Sequence, residues 1–467
     1  MENQTNAAKQ QKELLFAKAK HAANRISQEE QAKSDAFAAD YMAFLNAAKT
    51  EREAVKTAVA ALEQAGFVPF VPGMTLSAGD KVYQNNRGKA VVAAVIGTAP
   101  MEEGVRLCAA HIDSPRLDLK QNPLYEANEL AMCKTHYYGG IKKYQWTAIP
   151  LALHGVVVLA DGTSVEVNIG EDAGDPVFCV TDLLPHLAVA QMKRSAAEII
   201  QGEELNLLVG SMPFSKDEES EQVKLNILHI LHEKYGMTET DFLSAELEAV
   251  PAFPAKELGF DRSMIGSYGH DDRVCAYPAL RALLDCGTPN HTAVIVLTDK
   301  EETGSDGNTG LCSSYLPYFL EDLADCFGIK GRHLMHASQC LSADVNAAFD
   351  PTFPDVMEQK NCAYLNHGVC VTKFTGARGK SGTSDASAEF VGTVRRVLDQ
   401  ADVVWQTGEL GKVDAGGGGT VAAYIANLDI DTIDVGVPVL SMHAPFEVVA
   451  KLDVYMTYRA FAAFMAS

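Results

Sequence analysis

Residues 105–115 read VRLCAAHIDSP and residues 292–304 read TAVIVLTDKEETG. Each is a short apolar run that stops at side chains able to hold a metal. An unbroken apolar run of five or six residues, without polar alternation, predicts a strand buried on both faces, as in a parallel sheet covered by helices. Working outward, similar runs occur at 90–97 (AVVAAVIG), 368–374 (GVCVTKF) and 432–440 (TIDVGVPVL), with helical stretches at 276–284, 384–400 and 420–426. Strands alternating with helices predict an α/β fold with a mixed, mostly parallel sheet flanked by helices.

Between about 120 and 254 the pattern changes. The pieces 151–159 (LALHGVVVL) and 163–169 (TSVEVNI) are β-rich and separated by turn residues, and 216–222 (KDEESEQ) reads as an exposed loop before a helix. A β-rich domain inserted into the α/β unit accounts for the break. The first 65 residues predict two helices. Leu14, Leu15, Ala19, Ala22 and Ala23 mark one apolar face; Tyr41, Phe44, Leu45, Val55, Val59 and Leu62 mark the other.

The 467 residues include 39 Lys and Arg against 61 Asp and Glu, a formal charge of −22. That balance argues against nucleic acid or an anionic membrane as a partner, and no apolar run approaches the ~20 residues that span a bilayer. The first 50 residues show no signal-peptide pattern, and the ten cysteines form no CxxC pair. Both features predict a cytoplasmic protein with reduced, mostly buried thiols.

Five places carry the chemistry: His111-Ile112-Asp113, Asp271-Asp272, Glu301-Glu302, Asp344 and His443. In open α/β sheets the site lies beyond the carboxyl ends of the strands, where residues distant in sequence converge. Two His and several carboxylates, without Cys, suit zinc, cobalt or manganese. Private ligands for two ions, one bridging carboxylate and a shared water complete two roughly four-coordinate sites. Asp113 can accept the far ring N–H of His111. Glu301 and Glu302, on extended backbone, diverge, so one can bind metal while the other serves as base. Asp271-Asp272 also reads as a helix cap.

The ordered motifs HIDSPRLDLK, SYGHDDRVCA, TDKEETGS, SADVNAAFDP, RGKSGTSDASAEF, KVDAGGGGT and LSMHAPFEV resemble the aspartyl aminopeptidase family of co-catalytic zinc peptidases, notably its bacterial branch. The resemblance implies a zinc-exopeptidase fold in which 1–118 plus 255–467 form the catalytic domain and 119–254 an inserted assembly domain. It also implies two zinc ions per subunit, with His111 and Asp344 on one, Glu302 and His443 on the other, and Asp271 bridging. Glu301 is then the general base and Asp113 the partner of His111. The substrates implied are peptides with a free N-terminus, and the assembly a large homo-oligomer, often a tetrahedral dodecamer.

In that alignment Ala190 and Ala347 replace histidines found in members that prefer acidic N-terminal residues, while Lys373 keeps a substrate-contacting lysine. A neutral or apolar preference is therefore as open as an acidic one. Gly417 and Gly418, in the run 416–419, fit a wall of the cleft; the run lacks a P-loop ending. His229 and His232, like His333 and His336, read as packing or interface residues on helices. His270 reads as a partner of a ligand carboxylate or as filler behind the site. A related zinc deacylase or carboxypeptidase, or a non-catalytic shell protein, are the rival readings.

Overall fold

The computed structural model describes residues 11–12, 14–16, 21–216 and 220–467. Ala19 and the centre of the acidic loop at 217–219 lie outside the described residues.

The central sheet has nine strands in the order Val68–Pro69, Lys81–Asn86, Ala90–Val95, Ala293–Thr298, Arg106–His111, Gln339–Ser342, Asp431–Gly436, Val369–Thr372 and Trp405–Thr407. The four strands from Ala293–Thr298 to Asp431–Gly436 are mutually parallel. Ala90–Val95 and Val369–Thr372 flank them antiparallel. The expected mixed, mostly parallel sheet is what forms. Its apolar runs lack alternation because both faces are covered. In Ala293–Thr298, Ile295 and Leu297 enter a core with Leu62, Leu280 and Phe461, while Val294 and Val296 enter another with Phe319 and Leu334.

Between Arg106–His111 and the strand Met264–Ser267, the chain builds a second sheet, antiparallel throughout and seven strands wide. It has its own core around Trp146, Val157, Leu207 and Phe242. Its first strand, Arg116–Ala127, starts five residues after His111, and its second, Leu130–Tyr138, runs back toward the central sheet. A third sheet of five short strands, Lys256–Leu258, Met264–Ser267, Glu447–Ala450, Pro438–Leu440 and Asn346–Ala347, draws its strands from the segments between and after the parallel ones.

Two expectations need correction. The run 432–440 is not one strand: Asp431–Gly436 belongs to the central sheet and Pro438–Leu440 to the small one. The two N-terminal helices are Gln28–Ala47 and Glu51–Gln64, each opened by a capping box, Ser27 with Glu30 and Thr50 with Glu53. Tyr41, Phe44 and Leu45 therefore sit on one helix and Val55, Val59 and Leu62 on the next. Leu14 and Leu15 are largely exposed, and Ala22–Asn24 is a single 3-10 turn. The cysteines are as expected, all free and mostly buried, with Cys312 exposed. Among the described residues no helix is long and apolar enough to cross a membrane.

Candidate metal centre

Each candidate ligand is delivered by the end of an element. His111 is the last residue of its strand, and Glu301 and Glu302 follow the neighbouring parallel strand by three and four residues. Asp344 lies two residues beyond Gln339–Ser342, His443 three beyond Pro438–Leu440, and Asp271 in the first turn of the helix His270–Asp285. Side chains spread over 333 positions of sequence thus meet at the carboxyl edge of the parallel strands.

His111 Nε2 lies 3.1 Å from Asp271 Oδ1, 3.8 Å from Glu301 Oε2 and 3.9 Å from Asp344 Oδ1. His443 Nε2 lies 3.2 Å from Asp271 Oδ2 and 3.7 Å from Glu302 Oε2. Asp271 thus turns one oxygen to each imidazole. Three overlapping groups bring ligand atoms within 4.8 Å of one another: His111, Asp271 and Asp344; Asp271, Glu302 and His443; His111, Glu301 and Glu302.

The far side of each ring decides what the near side can be. His443 Nδ1 is 2.8 Å from the Gly140 carbonyl oxygen, and His111 Nδ1 is 3.0 Å from the Asp113 carbonyl oxygen. A carbonyl oxygen only accepts, so both Nδ1 atoms donate. In the neutral rings both Nε2 atoms then carry lone pairs aimed at carboxylate oxygens. That arrangement is repulsive unless a cation lies between them or the rings bind protons.

Charge on the site tells the same story. Burial disfavours an imidazolium, yet the carboxylates of Asp113 and Asp271 outweigh it and hold His111 well above the usual range. His443 is likewise pushed up to about 10 against burial, chiefly by Asp271. Burial and neighbouring carboxylates push Glu301 up to about 7, and Glu302 and Asp344 well above the usual range. Asp271 is held low by the two imidazoles despite its burial. Glu302 Oε1 is buried with no hydrogen-bond partner. A buried site that draws in protons this strongly, from two imidazoles and several carboxylates, fits divalent cations.

The supporting groups were only partly legible. Asp113, fully buried, does more than face His111 at 3.3 Å. Its two oxygens accept the main-chain N–H of Glu301 and of Glu302, each at 3.1 Å, and the Tyr138 hydroxyl at 2.7 Å. The Glu301-Glu302 pair is not extended, as read from sequence, but forms a 3-10 turn, Glu301–Thr303, held by those bonds. Asp271 and Asp272 do not cap their helix. Gly269 occupies the N-cap, and both Asp residues have non-helical dihedrals inside the first turn.

Tyr138, Gly139 and Gly140 come from the second sheet and had no signal in the sequence beyond a Gly pair. Gly139 has φ +75°, and a Cβ there would lie 3.1 Å from Glu302 Oε2. Glu447 was also missed; the motif around His443 contained it without marking it. His270 is turned away from the carboxylates, with Tyr41 Oη 2.8 Å from Nδ1 and the Ile265 carbonyl 3.2 Å from Nε2.

The substrate-contact candidates are not among the clustered groups. Lys373 is exposed, one residue past Val369–Thr372. The glycine run serves the chain's own packing: a Cβ on Gly417 would lie 2.4 Å from the Ala377 Cα, and Gly418 N–H donates to the Thr375 carbonyl. His229 and His232 lie on the helix Gln222–Tyr235 of the inserted segment, and His336 pairs with Asp429 at the surface.

A cavity of about 550 Å³ opens beside His443. Its wall includes Ala347, Val439, Leu440 and Met442, and its charged side chains are Lys142 and Asp350, one of each sign.

Residues 44–465 match the family model Aminopeptidase I zinc metalloprotease (M18). A probable M18 family aminopeptidase 1 of Clostridium acetobutylicum is 50% identical over 430 residues, covering 90% of this chain and 92% of that one. The crystal structure of an M18 aminopeptidase from Thermotoga maritima superposes with a TM-score of 0.92 at 45% identity, covering 96% of this chain and 99% of that one. A more distant likeness of fold, TM-score 0.75 at 18% identity over 92% and 96% of the two chains, is to the S. cerevisiae mApe1 dodecamer.

Proposed function

The chain belongs to the M18 family of zinc metalloprotease aminopeptidases, and from that premise we propose that it releases N-terminal residues from peptides at a two-zinc centre, which cobalt or manganese could also fill. His111 and Asp344 would hold one ion, Glu302 and His443 the other, and Asp271 both. The observation that carries this reading is the pair of Nε2 lone pairs facing the two oxygens of Asp271. When bound, the metal pair supplies Lewis acidity, making water a nucleophile near neutral pH and polarising the scissile carbonyl.

The chain's own groups do the rest. Glu301 takes the proton of the attacking water and passes it to the departing amine. Its position suits that task, with Oε2 3.8 Å from His111 Nε2 at the edge of the ligand cluster. Asp113 fixes the Glu301-Glu302 turn and the tautomer of His111. The excess of carboxylates attracts the substrate's α-ammonium group, which favours a free N-terminus over an acylated one.

The cavity beside His443 receives the N-terminal side chain, and its apolar wall supports a neutral or apolar residue. Lys373 is not among the residues that line it. It follows Thr372, whose hydroxyl accepts from the Asn346 amide at 2.8 Å, and Asn346 precedes Ala347. Gly417 and Gly418 belong to a loop that would flank the rest of the peptide. The segments 1–118 and 255–467 act as the catalytic domain. Residues 119–254, with a separate core, act as an assembly domain of a large homo-oligomer, in keeping with the dodecamer described for mApe1.

The test is release of N-terminal residues from free-amine peptides after chelation and readdition of zinc, cobalt or manganese, with N-acylated and C-terminal substrates as controls. Metal-restored cleavage of the free-amine set alone is expected. Cleavage of acylated substrates instead would favour a deacylase, and no cleavage by a folded, metal-loaded assembly would favour a shell protein.

A further inference from the structure

Glu447 opens the strand Glu447–Ala450 and pairs across the small sheet with Ser267, on the strand that leads into Asp271. It is 1% exposed. One carboxylate oxygen accepts the main-chain N–H of His443 at 2.7 Å; the other accepts the main-chain N–H of Asp271 at 3.0 Å. Among the described residues no Lys or Arg forms an ion pair with it. A buried carboxylate without a cation is a destabilising choice for a position that only fills space, where an apolar side chain would serve. What this carboxylate does is join two segments far apart in sequence, each carrying a candidate ligand.

We propose that Glu447 is a positioning residue of the metal centre. By bonding both main chains it sets the distance between the Asp271 carboxylate and the His443 imidazole. It thereby tunes the affinity of the site formed by Asp271, Glu302 and His443. The other site, formed by His111, Asp271 and Asp344, shares only one of the two held segments and depends on it less. The inference rests on the reading of these residues as metal ligands. Outer groups that orient ligands typically contribute 10–100-fold in metal affinity.

The test is titration of zinc into chelator-treated protein, followed calorimetrically, with circular dichroism and assembly size checked for each variant. In E447Q the amide offers one acceptor oxygen, and its NH₂ group meets an N–H donor, so one of the two bonds is lost. Two ions are expected to bind the wild type. In E447Q one ion should stay tight and the other weaken about 10–100-fold. Turnover should be restored at high zinc with the peptide KM unchanged. E447D keeps both acceptor atoms on a shorter stem and is expected to weaken the same ion by less. If E447Q does not fold, E447D carries the test. Weakening of one ion supports the proposal, whereas equal weakening of both or of neither overturns it. Two wild-type affinities in folded E447Q also overturn it. A wild type that binds no ion sinks the metal-centre reading itself, a different result.

Discussion

The side chain at position 347 is the most informative one to change. A leucine side chain adds three carbons to an alanine side chain. At about 0.8 kcal/mol per buried CH₂, full burial in the cavity beside His443 is worth about 2.4 kcal/mol, or up to about 50-fold in kcat/KM. An aspartate in the same place loses hydration and meets Ala347, Val439, Leu440 and Met442, while Lys142 on the wall is offset by Asp350. It should fall about 10-fold or more below alanine. The assay is kcat/KM for Leu, Ala and Asp aminoacyl-coumarin amides on zinc-loaded protein. A347K then places an ammonium on the wall. At about 4 Å and an effective dielectric of about 20 the pair is worth up to about 4 kcal/mol, but position 347 is half-buried, so 1–2 kcal/mol is the working figure. The Asp-to-Leu ratio should therefore rise about 10-fold. A wild type that prefers Asp over Leu would refute the reasoning; K373A would then show whether Lys373 supplies the preference.

Three further outcomes are expected. Glu301→Gln should keep both ions by elemental analysis while lowering kcat about 10²–10⁴-fold; near-normal turnover would remove Glu301 as the base. His443→Ala should lower zinc content by about one ion per chain, and unchanged stoichiometry would strike it from the ligand set. His154, 1% exposed, has Glu53 Oε1 2.8 Å from Nδ1 and Glu171 Oε1 3.0 Å from Nε2. Burial opposes its charge, but these carboxylates raise its pKa. A raised imidazole pKa contributes stability that is full below the unfolded value of about 6.5 and is lost as pH rises through the folded value. Thermal melts from pH 6 to 9 should show that loss in the wild type, and H154Q should flatten it. Parallel curves would place the pH dependence elsewhere.

The sequence exposed what depends on side-chain type and order. Val294 and Ile295 read as a doubly buried strand because each feeds a different core, and His111, Glu301 and Glu302 stood out as candidate ligands because they follow such strands. What depends on main-chain path did not show. Nothing in 432–440 marks the place where one strand ends in the large sheet and another begins in the small one, since both halves are apolar. Asp113 was visible as a partner of His111 but not as the acceptor for the turn at Glu301, because main-chain N–H groups carry no residue identity. Gly140 and Glu447 were silent for the same reason: one gives a carbonyl, the other receives two N–H groups.

The end of Leu130–Tyr138 and the loop that follows it belong to the second sheet yet pack against the candidate ligands of a unit with another sheet type and core. Tyr138 donates to Asp113, Gly139 lies against Glu302, and the Gly140 carbonyl fixes the ring of His443. Structural modularity and chemical modularity therefore do not coincide in this chain. A truncated protein closed across residues 119–254 would retain every candidate ligand yet have one imidazole free to flip and one carboxylate short of a donor. Anyone grafting the ligand set onto another scaffold has to carry residues 138–140 with it, and a lineage that lost the second sheet would have had to rebuild that loop first.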